Sequence, residues 1–325
     1  KNITAENIIA LKSQGINAEE ILTYLEETDI DKRSQKINKY EDEESENLIA
    51  IYIAAVNDLA IFADRNLSQI IKVASNSKNL KIVIHLDIKR LAQKKTTQRF
   101  YVKNNTLIKI GPDLNMSSGD PNTLLDFCKM VTTQFKSKKY HLLIWNHGTG
   151  DVEPQLKRAV NPSELFNFNP QTHKIELDRS IGFLDFIRSV GEEDQERGSC
   201  FDDSSSSYIT NKNLGQILDI VCKDFLNGGQ FETIIFDACL MSMVGVATSI
   251  KQANNGKGAA KYIVASQEVV LGSGYDYFKM LSPIANSIMQ TEDFVKHIVT
   301  SYTQVYSSII QDYTQSVIKL ENFDQ

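Results

Sequence analysis

The chain has 325 residues, 42% of them hydrophobic and 23% charged, with a formal net charge of -6. That is ordinary for a soluble globular protein, and the mild acid excess with no basic stripe excludes a nucleic-acid partner. Four cysteines are too few for a disulfide scaffold, none forms a Cys-x-x-Cys pair, and no segment has the length and apolarity of a membrane span.

In chain order, the spacing of Ile8-Ile9, Leu11, Ile21-Leu22 and Leu25 predicts a helical extension over residues 1–46. It ends in the polar run Glu41–Glu46, read as a solvated linker. The remaining residues, 47–325, read as one domain. Leu48–Val56 is a short, β-branched apolar run and predicts a buried strand; Leu59–Val73 predicts a helix and Leu80–Leu86 a second strand. Residues 98–111 predict a hairpin turning at Lys103-Asn104-Asn105. Asp120-Pro121-Asn122-Thr123 has the chemistry of a helix start, and that helix runs to Phe135. Tyr140–Trp145 is a third buried strand, stopping at Asn146-His147-Gly148-Thr149-Gly150.

A polar stretch, 150–207, follows with few periodic elements, and a segment so long and irregular inside a compact domain is a functional one or has no fixed order. Then come a helix over Leu214–Phe225, a strand over Phe231–Phe236, a helix over Leu240–Ile250, a strand over Tyr262–Ser266, the loop Gly272-Ser273-Gly274 and a helix from Glu292 to Ile310. Strands alternating with helices predict an α/β domain: a mostly parallel sheet covered by helices on both faces, with its chemistry at the carboxyl ends of the strands.

Two polar constellations fall at such ends. A histidine just past a strand is rigidly based and exposed at its tip, and imidazole titrates near neutrality, so His147 suits proton transfer. Cys239 follows Phe236-Asp237-Ala238, between a strand and the expected helix, where a helix N-terminus would favour a thiolate and leave an amide for an oxyanion. Read singly, each has a plainer explanation: a loop histidine, a buried thiol, and in Asp237 a helix cap. His85, His141, His173 and His297 stand in no motif and read as structural or surface residues.

Trp145-Asn146-His147-Gly148 with Phe236-Asp237-Ala238-Cys239-Leu240-Met241-Ser242-Met243 resembles the active-site pair of the clostripain family, one of the caspase-like cysteine peptidases. Further stretches resemble the same family: Tyr52–Leu59, Met116–Leu124, Phe201–Thr210, and Val264–Glu268 with Gly272–Tyr275. Where the family often shows a glycine run after the histidine, this chain has Gly148-Thr149-Gly150.

The resemblance implies a caspase-like fold and an endopeptidase cutting after Arg or Lys. In it Cys239 is the nucleophile, His147 its partner, and the amides of Gly148 and Cys239 the oxyanion hole. It places Asp237 in the pocket for the basic side chain, with Glu268 and Asp276 as further candidates. It also implies a precursor cut at a basic site, Lys157-Arg158 foremost, with Arg179, Arg188 and Arg197 as rivals. The dyad requires no cofactor; calcium, which some relatives need, would have Asp202, Asp203 and Glu153 as ligands, without EF-hand spacing. The expected partners are protein or peptide substrates with Arg or Lys at the cut. The expected setting is secreted or cell-envelope and bacterial, with any leader removed from a chain that begins at Lys1. The competing reading is a non-catalytic caspase-like protein that binds basic peptides.

Overall fold

The computed structural model describes residues 35–36, 44–73, 77–151, 166–169, 174–177, 198–308 and 313–323. Among the described residues thirteen strands appear: β1 (Gln35–Lys36), β2 (Ser45–Ala55), β3 (Leu80–Ile88), β4 (Thr96–Lys103), β5 (Thr106–Lys109), β6 (Ser137–Trp145), β7 (Phe166–Asn169), β8 (Lys174–Leu177), β9 (Gly198–Asp202), β10 (Ser207–Thr210), β11 (Phe231–Asp237), β12 (Ala260–Ala265) and β13 (Ser316–Lys319). The helices are α1 (Ala60–Val73), α2 (Pro121–Gln134), α3 (Asn211–Ile220), α4 (Val244–Gln252), α5 (Tyr277–Asn286) and α6 (Thr291–Tyr306).

Nine strands form one sheet in the order β1-β5-β4-β3-β2-β6-β11-β12-β13. Its middle, β3-β2-β6-β11-β12, is parallel throughout; β4 joins β3 antiparallel, and β13 closes the other edge antiparallel to β12. The central strands are apolar at nearly every position because both faces are covered. In β2 the alternation is strict. Ile49, Ile51 and Ile53 pack with α1, α5 and α6 on one face. Leu48, Ala50 and Tyr52 pack with α2, α3 and α4 on the other.

The expected strands are found within a few residues, as is the β4–β5 hairpin, where Asn104 and Asn105 take the left-handed turn conformation. Helix α2 starts as its sequence dictates, with Asp120 accepting from the Asn122 amide at 2.9 Å and Pro121 in the first turn.

Some expectations differ. The run Glu41–Glu46 was to be linker, yet β2 begins at Ser45, and Glu46 pairs with Lys138 and Lys139 on β6. The rest of the expected helical extension lies outside the described residues, apart from β1, which is strand. The helix expected over Leu240–Ile250 starts only at Val244, because Leu240 sits at φ +62, a conformation an α-helix cannot contain. Helix α5 and strand β13 have no counterpart in the sequence reading. Strands β9 and β10 form a hairpin at the end of the polar stretch, inside what sequence alone reads as irregular.

Candidate active site

Register assembles the site. In the parallel pairing of β6 with β11, Trp145 lies opposite Asp237. The chain leaves both strands together, so the second residue past each pair partner is His147 on one side and Cys239 on the other. Both line one small cavity, with Leu59, Trp145, Asn146, Asp237, Ala238, Val270, Leu271 and Gly272.

The histidine loop is held rigidly. Asn146 is buried; its side-chain amide donates to the carbonyls of Ala54 and Phe201, and its oxygen accepts from the Phe201 amide at 2.8 Å. Gly148 forms an isolated antiparallel bridge with Ser199, closed by the Thr149 amide on the Gly198 carbonyl at 3.1 Å rather than by the amide of Gly148 itself. His147 is 1% exposed, and its Nε2 lies 2.7 Å from Oδ1 of Asp58.

The cysteine loop is packed directly on the histidine loop. A Cβ at Gly148 would stand 2.5 Å from the carbonyl oxygen of Cys239, and one at Gly150, whose φ is +58, would collide with the carbonyl of Leu240. These close approaches require glycine. Further on, Asp151 accepts from the Gly245 amide at 2.6 Å and so caps α4 from the other loop.

Cys239 is therefore not at a helix N-terminus, as its sequence suggests, and lacks the field that would lower its pKa. It is 3% exposed, and burial pushes the thiol up to about 12. Val270 covers it, with its amide 3.3 Å from Sγ. The remaining cavity is about 20 Å³, room for a water and no more.

Asp237 does not cap α4 either. Its Oδ2 accepts from the Tyr277 hydroxyl at 2.7 Å and the Tyr275 amide at 3.3 Å. Burial raises its pKa to about 6, against the lowering effect of those two donors. It has no cation partner among the described residues.

The other substrate-pocket candidates lie elsewhere. Glu268 is exposed and does not line the cavity; its backbone carbonyl accepts from the Leu240 amide. Asp276 is the N-cap of α5, accepting from the Lys279 amide at 3.0 Å. Cleavage-site candidates Lys157 and Arg158 lie outside the described residues, as does Glu153.

Of the calcium candidates, Asp202 and Asp203 lie among the described residues, and Asp202 is already engaged. Oδ2 of Asp202 already holds the Lys95 ammonium at 2.6 Å, which would repel a cation, and its Oδ1 accepts from the Ser204 amide and hydroxyl. Among the described residues, no three His, Cys, Asp or Glu side chains group as metal ligands.

Sequence reasoning missed Asp58, Tyr275 and Tyr277. Asp58 was within reach, because it falls just past the end of β2 as His147 does past β6. Tyr275 stood in the stretch Gly272–Tyr275 that resembles the family, with no role assigned to it, and Tyr277 had no signal, since α5 itself was not foreseen.

The chain belongs to the clostripain family, whose model matches residues 51–160 and 188–325. It is similar to clostripain of Hathewaya histolytica, with 26% identity over 172 residues, 51% of this chain and 24% of that protein. It thus spans about a quarter of the length of this curated relative. Two crystal structures share the fold. One is an inactive zymogen C11 protease from Parabacteroides distasonis, with a TM-score of 0.56 and 19% identity over 88% of this chain and 65% of that one. The other is a secreted C11 cysteine protease from Bacteroides thetaiotaomicron in complex with an irreversible peptide inhibitor, with 0.57 and 17% over 86% and 67%. The caspase-like α/β arrangement expected from the sequence is the one found.

Proposed function

We propose that this protein is a cysteine endopeptidase that cuts after Arg or Lys, and that the structure is its closed form. The observation that carries the specificity is the set of buried acids. Among the described residues these are Asp64, Asp87, Asp202 and Asp237. Asp64 is gripped by Arg90 through two hydrogen bonds of 2.7 and 2.8 Å, and Lys95 bridges Asp87 and Asp202 at 3.1 and 2.6 Å. Asp237 alone has only a hydroxyl and an amide, and it borders the cavity that Cys239 lines. Buried carboxylates need a cation or a proton; the side chain of a basic substrate supplies the cation here.

The chemistry follows from the two loops. The Cys239 thiol gives its proton to His147, and Sγ attacks the scissile carbonyl carbon, forming C–S while the carbonyl electrons move to oxygen. The amides of Gly148 and Cys239 receive that oxyanion; losing one such donor costs about 3 kcal/mol of transition-state stabilisation. The oxyanion collapses, the C–N bond breaks, and His147 protonates the leaving amine. Water then attacks the thioester, giving its proton to His147 as the thiolate departs.

A thiol held near 12 and a cavity of one water require opening of the Val270–Gly272 segment before substrate enters. Self-cleavage at a basic site, Lys157-Arg158 foremost, is the proposed trigger, in keeping with the zymogen relative. An unchanged mass after prolonged incubation of active enzyme would count against it. A secreted bacterial setting is proposed from the secreted relative.

The same closure favours a second reading, a non-catalytic protein that binds basic peptides. Fluorogenic peptides ending in Arg, Lys, Asp or Asn separate the two. Release after Arg or Lys by the wild type, lost in Cys239→Ala, supports the peptidase. Absence of release, even after limited tryptic nicking, supports the binder.

A further inference from the structure

The contact between His147 and Asp58 is not accounted for by a two-residue mechanism. Asp58 is a third exposed, yet among the described residues its hydrogen bond goes to His147 Nε2, at 2.7 Å. An exposed carboxylate held for packing alone would gain as much from water. The turn beneath it is fixed from both sides. Asn57 donates to the carbonyls of Ala54 and Phe201 at 3.3 and 3.0 Å and accepts from the Leu59 amide at 3.0 Å. Asp58 thus projects from a rigid turn at the end of β2, the strand that pairs with β6 next to His147. Its charge also reaches Cys239, where it opposes ionisation of the thiol. The other titratable groups of the cavity are Cys239 and Asp237, both acids, and neither has a hydrogen bond to the imidazole.

A hydrogen bond at one ring nitrogen decides which nitrogen carries the exchangeable proton. We infer that Asp58 is the positioning residue of the dyad: it accepts the Nε2 proton of His147, holds the ring plane, and so makes Nδ1 the nitrogen that takes the proton from the Cys239 thiol and passes it to the leaving amine. Asp58 exchanges no proton in the reaction. It does not touch the substrate, so its removal slows the chemical step and leaves substrate capture intact. This inference rests on the peptidase reading above for its kinetic part, but its structural part does not.

The experiment uses the full chain as wild type, Asp58→Asn, Asp58→Ala and Asp58→Glu. With a fluorogenic peptide ending in Arg, the expected result for Asp58→Ala is a fall in kcat of about tenfold or more with KM within about twofold. Asp58→Asn, which keeps an acceptor oxygen without the charge, should fall less, and Asp58→Glu should recover part of the loss. All four should melt within about 2 °C of one another, as befits a partly exposed side chain. In parallel, nitrogen NMR of histidine-labelled protein, assigned with His147→Gln, should show the Nε2–H tautomer in the wild type and a mixture in Asp58→Ala.

A kcat for Asp58→Ala equal to or above that of the wild type would overturn the inference; a rise would mean that Asp58 restrains His147. An Nδ1–H tautomer in the wild type would overturn it as well. If wild type cleaves no peptide, the peptidase reading fails, and the tautomer still decides whether Asp58 positions the ring.

Discussion

Two buried carboxylates near the carboxyl ends of the strands contrast sharply. Asp202, at the end of β9, is burdened by burial, yet Lys95 and the hydroxyls of Ser204 and Ser117 hold its carboxyl below the ordinary range. Asp237, at the end of β11, has only Tyr277 and Tyr275 to answer the same burial, which raises it to about 6. The first is a finished structural knot that also ties Asp87 to the core. The second is left unfinished beside a cysteine and a histidine. An incomplete electrostatic site beside a cysteine–histidine pair is, in the proposed reading, where a substrate supplies what is missing.

The largest test of this contrast removes the cation that finishes the first site. Lys95→Met leaves Asp87 and Asp202 buried without it and should destabilise the protein by about 3–5 kcal/mol, read by denaturant unfolding at pH 7. The reverse sign is expected at the second site. The folded state holds a proton on Asp237 up to about pH 6, whereas the unfolded chain releases it near 3.8. Ionised Asp237 therefore costs stability above pH 6, and that cost fades as pH falls toward 4. Asp237→Asn should stabilise by up to about 3 kcal/mol at pH 8, with the advantage gone by pH 4.

His141, midway along β6 in the centre of the sheet, sharpens the point. Its ring is shared between Thr233 and Asn47, and burial lowers its pKa to about 4. Neutral His141 therefore contributes most above pH 6.5, and this is lost as pH falls toward 4, by about 3 kcal/mol in all. His141→Gln should flatten that acid decline. The smallest effect is expected for Tyr277→Phe, which removes one donor to Asp237 and should cost about 1 kcal/mol at pH 8.

The contrast was only half legible in the sequence. His147 and Cys239 could be singled out because chemistry in a parallel sheet gathers at strand ends, and the runs Tyr140–Trp145 and Phe231–Phe236 mark those ends; the roles expected of Gly148 and Asp237 came from the resemblance to the clostripain family. The β6–β11 register that aligns them is a tertiary fact. Helix initiation at Cys239 was misread, because nothing in Cys239-Leu240-Met241 announces a leucine at positive φ. Closure over Sγ by Val270 and the tyrosines on Asp237 depend on loop and helix packing far along the chain, which local periodicity does not encode.

The central claim is that Asp237 awaits the positive charge of a substrate. It is tested most directly by kcat/KM for peptides ending in Arg, Lys or the neutral isostere citrulline, on wild type and Asp237→Asn, after whatever nicking opens the site. The account predicts that wild type favours Arg and Lys over citrulline by about a hundredfold and that Asp237→Asn loses this preference. An Asp237→Asn enzyme that still prefers Arg and Lys would contradict it.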